Sequence, residues 1–184
     1  LEKGDAVCAF GELFSRFYLD RLRANVEKRG LRLVTDVDFS YIQSNRPPLP
    51  NGKIFMLPDK YTGESAASKL ARLREKMREK GATHYVIGAA DCVMWLLNIR
   101  GSDVEYTPVT LCFMLVSETD AVLYINPERA DGDVASALSE CGVRLRRTEE
   151  IYSDISALPE KAVLAADFSK TNYALTSSAK CGCR

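Results

Sequence analysis

His84 is the sole histidine of the chain. It stands in Thr83-His84-Tyr85-Val86-Ile87, a β-branched and aromatic run that reads as strand. A general base is one reading of it; a strand imidazole held by a hydrogen bond is the plainer one. Cys181-Gly-Cys183 offers two soft ligands, either a thiol or metal pair or simply a frayed tail, and a closed zinc site needs four N or S ligands. Glu149 and Glu150 are adjacent on a predicted helix, so their carboxylates diverge and cannot share one site. The remaining candidate is Trp95 to Asp103. It holds the single tryptophan, then Asn98, then Arg100 and Asp103 separated by Gly101 and Ser102. A loop at a strand or helix end, held by a rigid scaffold, carries function more often than a core does. Alternatively Arg100 and Asp103 pair locally to fix the loop, with Trp95 in the core.

Other chemistry lacks a signature. The sequence has no G-x-G-x-x-G, no Walker loop, no C-x-x-C and no G-x-S-x-G. Cys8, Cys92, Cys112 and Cys141 sit in apolar runs, where free cysteine behaves as a small hydrophobe. A secreted disulfide framework does not suit this length and spacing, so a reducing cytosol is expected.

The elements that would position the Trp95–Asp103 segment alternate between strand and helix. Strands are predicted at 6–10, 31–34, 54–57, 84–89, 109–116, 121–125, 143–147 and 162–166. Helices are predicted at 13–29, with Gly30 as its stop, at 91–97, at 130–141 and at 149–158, and a short one over 36–43. The clearest helix follows Ser65 as N-cap. Ala66, Leu70, Leu73 and Met77 form its apolar stripe, and Gly81 ends it. Its outer face carries Lys69, Arg72, Arg74, Lys76, Arg78 and Lys80 against Glu75 and Glu79. That is an anionic partner's surface or, more economically, a solvated face. The polar turn 117–120 should close an antiparallel hairpin. The fold class is α/β, a layered mixed β-sheet with flanking helices. Three prolines within Pro47-Pro48-Leu49-Pro50 favour an extended connection and mark a linker.

Composition narrows the function classes. The 25 Lys and Arg balance the 25 Asp and Glu, so nothing supports non-specific nucleic-acid binding. Hydrophobic residues at 46% exclude disorder. The longest apolar run, Val109 to Val116, falls far short of the roughly 20 residues of a membrane helix, so no membrane is expected. The first residues, Leu1-Glu2-Lys3-Gly4, have no start Met and no signal-peptide order, and Asp5-Ala6-Val7-Cys8-Ala9-Phe10 opens almost inside a strand, which suggests a fragment.

Several blocks then carry a resemblance. Trp95-Leu96-Leu97-Asn98-Ile99-Arg100-Gly101-Ser102-Asp103, followed by Tyr106-Thr107-Pro108-Val109, closely resembles the W-L-L-N-I-R-G-x-D-x-x-x-x-P-V block of the long, three-domain Xaa-Pro aminopeptidases of the creatinase/prolidase superfamily. Arg46-Pro47-Pro48-Leu49-Pro50 is similar to the R-P-x-x-P linker of that family. Tyr61-Thr62-Gly63-Glu64-Ser65, the stretch from Lys69 to Arg74, and Asp167 with Ser169 to Leu175 match its further blocks in order. Departures are Cys92 in place of a second acid, Thr107 in place of Asn, and no Trp at Tyr41-Ile42-Gln43.

The resemblance implies a creatinase/prolidase N-terminal-domain-like (ribonuclease H-like) fold. Residues 1–45 would be the C-terminal part of a first such domain, 46–53 a Pro-rich linker, 54–178 a second such domain and 179–184 a tail. The chain itself would be non-catalytic, with no cofactor and no metal ligands. The parent's catalytic domain would follow. It would hold two divalent ions (Mn or Zn class) through Asp, Asp, His, Glu and Glu, and would release an N-terminal residue preceding proline. Trp95, Asn98, Arg100 and Asp103 would form a substrate-entrance or interdomain loop, with Arg100 open to a carboxylate. Expected partners are that catalytic domain, a second copy in a homo-oligomer, and peptides with proline second; the expected location is cytoplasmic. The alternative is a stand-alone interaction or dimerisation module that kept the fold without peptidase activity.

Overall fold

The computed structural model describes residues 1–42 and 45–184. The chain opens with β1 (Ala6–Cys8), α1 (Arg16–Glu27) and β2 (Arg32–Val34), with β1 and β2 parallel. Ser15 caps α1 by accepting from the Tyr18 N–H, and Gly30 leaves the helix at φ +73°. The short helix expected over 36–43 is instead one 3₁₀ turn, Ser40–Ile42; Gln43 lies outside the described residues. The Asp38 carboxylate takes the Ser40 N–H at 2.7 Å and its hydroxyl at 2.9 Å, which supplies a local turn in place of helix.

Next come β3 (Phe55–Met56), α2 (Asp59–Thr62), α3 (Ala66–Glu79), β4 (His84–Ile87), α4 (Ala90–Leu97), β5 (Ile99–Arg100), β6 (Phe113–Ser117) and β7 (Ala121–Tyr124). They are followed by α5 (Gly132–Glu140), β8 (Val143–Arg146), α6 (Glu150–Ser156), β9 (Val163–Ala166), α7 (Tyr173–Ser177) and β10 (Gly182–Cys183). A six-stranded mixed sheet runs in the order β10-β9-β4-β6-β7-β8. Strand alternation splits the core between its faces. Val86, Leu115 and Leu164 pack with Ile151, Ile155 and Leu175, under α6 and α7. Ile87, Met114 and Leu123 pack with Leu70, Leu97 and Leu138, under α3, α4 and α5. The layered mixed α/β sheet expected from the sequence is therefore present, and β6–β7 is an antiparallel hairpin.

Two further readings of the sequence are corrected. Residues 109–112 do not extend β6. Their backbone serves the preceding loop, because Val109 O accepts from the Asp103 N–H at 3.0 Å and the Leu111 N–H donates to the Asp103 carboxylate at 2.7 Å. The end of the chain is not frayed. β10 pairs parallel with β9, the Arg184 N–H reaches Leu164 O at 2.9 Å, and Cys181 and Cys183 pack on the Leu164–Leu175 cluster. The short elements α2, β5 and α7 carried too few residues to show a period.

Residues 11–17 dock on the segment after β9. Arg16 N–H donates to Thr171 O, Phe17 N–H to Phe168 O, Tyr173 N–H to Phe14 O and Ala174 N–H to Gly11 O, at 2.8–3.2 Å. Arg23 adds a 2.9 Å bond to the Tyr173 hydroxyl, and Tyr173 packs against the Ala9, Leu19, Val26 and Leu33 core.

Candidate functional site

Trp95 to Asp103 runs off the end of α4. Asn98 is the C-cap, left-handed at φ 56° and 1% exposed. Asn tolerates that conformation better than other residues with a β-carbon. The backbone then turns into β5, which pairs antiparallel with β3 (Phe55↔Arg100, Met56↔Ile99).

Asn98 is the hub of a buried network. Lys69 Nζ donates to Asn98 Oδ1 at 2.6 Å and to Trp95 O at 2.8 Å. Asn98 Nδ2 donates to Glu64 O at 2.8 Å and to Asp59 Oδ1 at 3.2 Å. Its carbonyl accepts the Leu57 N–H at 2.7 Å. One turn thus ties α2, α3, α4 and β3 together. Lys69 is the residue the sequence placed wrongly, since it belongs not to the solvated face of α3 but to its buried edge, at 3% exposure. It precedes Leu70 in the apolar stripe, so a lysine able to reach inward was visible; its acceptor was not. Desolvation lowers the Lys69 pKa, and the nearby Glu64 charge partly opposes this. Its ammonium also lies 4.4 Å from the Trp95 ring centroid.

Arg100 and Asp103 do not pair. Arg100 turns back on α4, where one guanidinium nitrogen donates to Met94 O of the helix at 3.0 Å and to Ile99 O of β5 at 2.7 Å. Asp103 instead meets Arg129, the last residue of a second 3₁₀ turn, Pro127–Arg129. Arg129 Nε also donates to Gly52 O at 2.7 Å. Asp103 further accepts from Thr110 Oγ1 at 2.9 Å and from the Leu111 N–H. Burial alone would raise the Asp103 carboxyl; the bonds from Arg129, Leu111 and Thr110 more than reverse it and hold it below the usual carboxylate range. Nothing in the sequence announced Arg129.

Trp95 is not in the core. It is 52% exposed, with Arg72 as a second cation 5.7 Å from its ring centroid. Of the four residues singled out, Trp95 and Asn98 therefore share one network, Asp103 anchors the loop from inside, and Arg100 bonds main-chain carbonyls of α4 and β5. Around them Phe55, Val104, Tyr106 and Leu111 stand exposed, Tyr106 at 97% and with φ 61°. His84 accepts or donates at Thr83 Oγ1 (2.9 Å), and burial lowers its pKa.

The model of the Creatinase/Prolidase N-terminal domain family matches residues 45–183, a span that includes every bond of the Trp95–Asp103 network. The chain belongs to this creatinase/prolidase N-terminal domain family. It is homologous to the N-terminal region of Xaa-Pro aminopeptidases. It is 31% identical over 173 residues to the probable Xaa-Pro aminopeptidase P of Sordaria macrospora, covering 91% of this chain and 28% of that protein. It is also 31% identical over 146 residues to aminopeptidase P1 of Arabidopsis thaliana, covering 78% of this chain and 23% of that protein. Among solved structures, the X-prolyl aminopeptidase of Caenorhabditis elegans, described as a cytosolic enzyme with a di-nuclear active site, superposes with a TM-score of 0.90 at 27% identity. The match covers 97% of this chain and 30% of that one. The creatinase/prolidase chain described here thus spans about a quarter to a third of the length of these relatives.

The donor set does not fit a di-nuclear centre. Among the described residues no three His, Cys, Asp or Glu side chains are grouped to hold an ion. Nor is any helix among them long and apolar enough to cross a membrane.

Proposed function

We propose that this chain is the non-catalytic N-terminal region of a cytoplasmic, metal-dependent Xaa-Pro aminopeptidase, where it shapes the approach to a catalytic domain and takes part in subunit packing. In this reading residues 1–45 are the C-terminal part of a first creatinase-N-type domain and residues 54–178 a second. The parent hydrolyses the bond before a penultimate proline, and two divalent ions in the catalytic domain supply the hydrolytic chemistry.

The observation that carries the reading is the buried bonding at the base of the Trp95–Asp103 turn beneath an exposed apolar rim. A loop whose base is an ion pair shielded from water, and whose hub residue is bonded on every side, keeps its position when nothing touches its outer edge. Phe55, Val104, Tyr106 and Leu111 leave apolar surface in water around that edge, which is the mark of a surface covered by another domain or subunit. Trp95 and the free nitrogens of Arg100 are the groups it can offer a peptide or an acidic side chain.

The test uses the full-length gene product. Arg100→Ala and Trp95→Ala are expected to raise KM for a Xaa-Pro peptide, or to shift the enzyme toward smaller assemblies, with the metal content unchanged. If both variants keep wild-type kinetics and assembly, the loop has neither role. If the gene encodes no metal-binding domain beyond this region, the chain is a stand-alone interaction module.

A further inference from the structure

The groove between α3 and α4 shares Trp95 with the reading above and otherwise lies outside it. One stripe of each helix walls it, with Arg72, Leu73 and Lys76 on one side and Trp95 and Leu96 on the other, over Ile87 of β4. Its volume is about 490 Å³, the size of a cleft that holds a ligand rather than a packing defect. The floor is apolar and one lip is cationic. Arg72 and Lys76 are 55% and 64% exposed, and their carboxylate partners Glu64 and Glu79 stand outside the groove. Such exposed pairs contribute only about 0–1 kcal/mol, so another carboxylate can replace them at little cost. On the facing wall the one acidic lining residue is Asp91. Trp95 leaves half its surface in water at the groove's mouth, in the position where buried aromatic anchors concentrate binding energy.

We propose that this groove is a docking site for an acidic polypeptide segment that presents one aromatic or long aliphatic side chain. The side chain enters between Leu73 and Leu96 and lies against Trp95. Carboxylates on either side of it meet Arg72 and Lys76, and a basic segment would meet two like charges there. The proposal stands whether or not the chain is part of a peptidase.

Trp95 is the single tryptophan, so its emission reports on this groove alone. The chain is titrated with the capped peptide Glu-Glu-Phe-Leu-Glu-Glu, with its Lys-Lys-Phe-Leu-Lys-Lys counterpart, and with an acidic peptide carrying Ser in place of Phe and Leu. The expected result is a saturable shift of Trp95 emission with the first peptide only. That binding should weaken about tenfold or more between about 50 and 500 mM salt. The double variant Arg72→Glu/Lys76→Glu, checked for folding by circular dichroism, should weaken it to a similar degree. Equal binding of acidic and basic peptides, or no saturable shift, overturns the proposal. So does an emission change that follows protein concentration together with dimerisation in sedimentation, which would make a second copy the occupant. The salt series uses the unaltered chain and decides the matter even if the variant fails to fold.

Discussion

Asp103 and Arg129, 26 positions apart, meet in an ion pair whose side chains are 0% and 4% exposed. Removing one member of a buried pair strands the other charge, which costs about 3–5 kcal/mol. Asp103→Asn is therefore expected to lower the unfolding free energy by an amount in that range, read as a lower urea midpoint at unchanged m-value. Asp103→Leu combined with Arg129→Met should recover much of the loss, since neither charge is then left alone. A cycle in which the two single effects simply add would show that the pair is not coupled.

The same carboxylate sets an acid limit. Its pKa is lower in the folded than in the unfolded chain, so the unfolded state binds the proton first. Its contribution is complete above the usual carboxylate range and is lost as pH falls through the depressed folded value. Stability measured from pH 6 downward should decline in that acid window, and Asp103→Asn should flatten this part of the curve while lowering its plateau.

Gly101 has no freedom to gain a side chain. A β-carbon there would stand 2.7 Å from Thr110 Cβ and 3.2 Å from Val109 O, within the segment that Asp103 fastens. Gly101→Ala should destabilise by about 1–3 kcal/mol through overpacking, read as a lower thermal midpoint. An unchanged midpoint would mean that residues 109–110 yield freely.

The buried hub should respond to loss of its donor. Lys69→Met keeps the length of the side chain but leaves Asn98 Oδ1 and Trp95 O without their 2.6 and 2.8 Å partner. A loss of about 1.5–3 kcal/mol is expected, together with altered Trp95 emission, because the ammonium over the ring is gone. A neutral effect on both would show that water satisfies the two acceptors.

Thiol titration should separate the cysteines. Cys8 is exposed, whereas Cys112 is 5% exposed and burial pushes its thiol up to about 12. At pH 8 only about one Cys112 in ten thousand is thiolate. An aromatic disulfide reagent should label Cys8 at once and Cys112 only on unfolding. Early labelling of Cys112 would show that the 109–112 segment opens in the native state.

The sheet and its helices were legible because their signals are local and periodic. Ala66, Leu70, Leu73 and Met77 announce one helix face, and Ser65 and Gly81 announce its ends. The site was legible only as a place. Asp103 and Arg100 are close in sequence with opposite charges, and that proximity suggests a pair. The structure prefers a distant arginine for one, where it fills the buried bonds around Asp103, and main-chain carbonyls of α4 and β5 for the other. Lys69 shows the same limit, since its partner is fixed by the packing of α3 on α4 and not by its neighbours in sequence. Asn172 and Tyr173 were legible as part of a block with Asp167, but their roles in capping α7 and receiving α1 depend on a segment about 160 positions away.

A stretch with three prolines would ordinarily act as a hinge between two bodies. Here the segments on either side are already riveted by four main-chain bonds, from Gly11, Phe14, Arg16 and Phe17 to the stretch 168–174. The connector therefore behaves as a strap across a welded joint. Within that receiving stretch the Lys170 ammonium sits 3.9 Å from the Cys92 sulfur of α4. The stretch that receives α1 therefore also borders the groove, through Lys170 and Cys92.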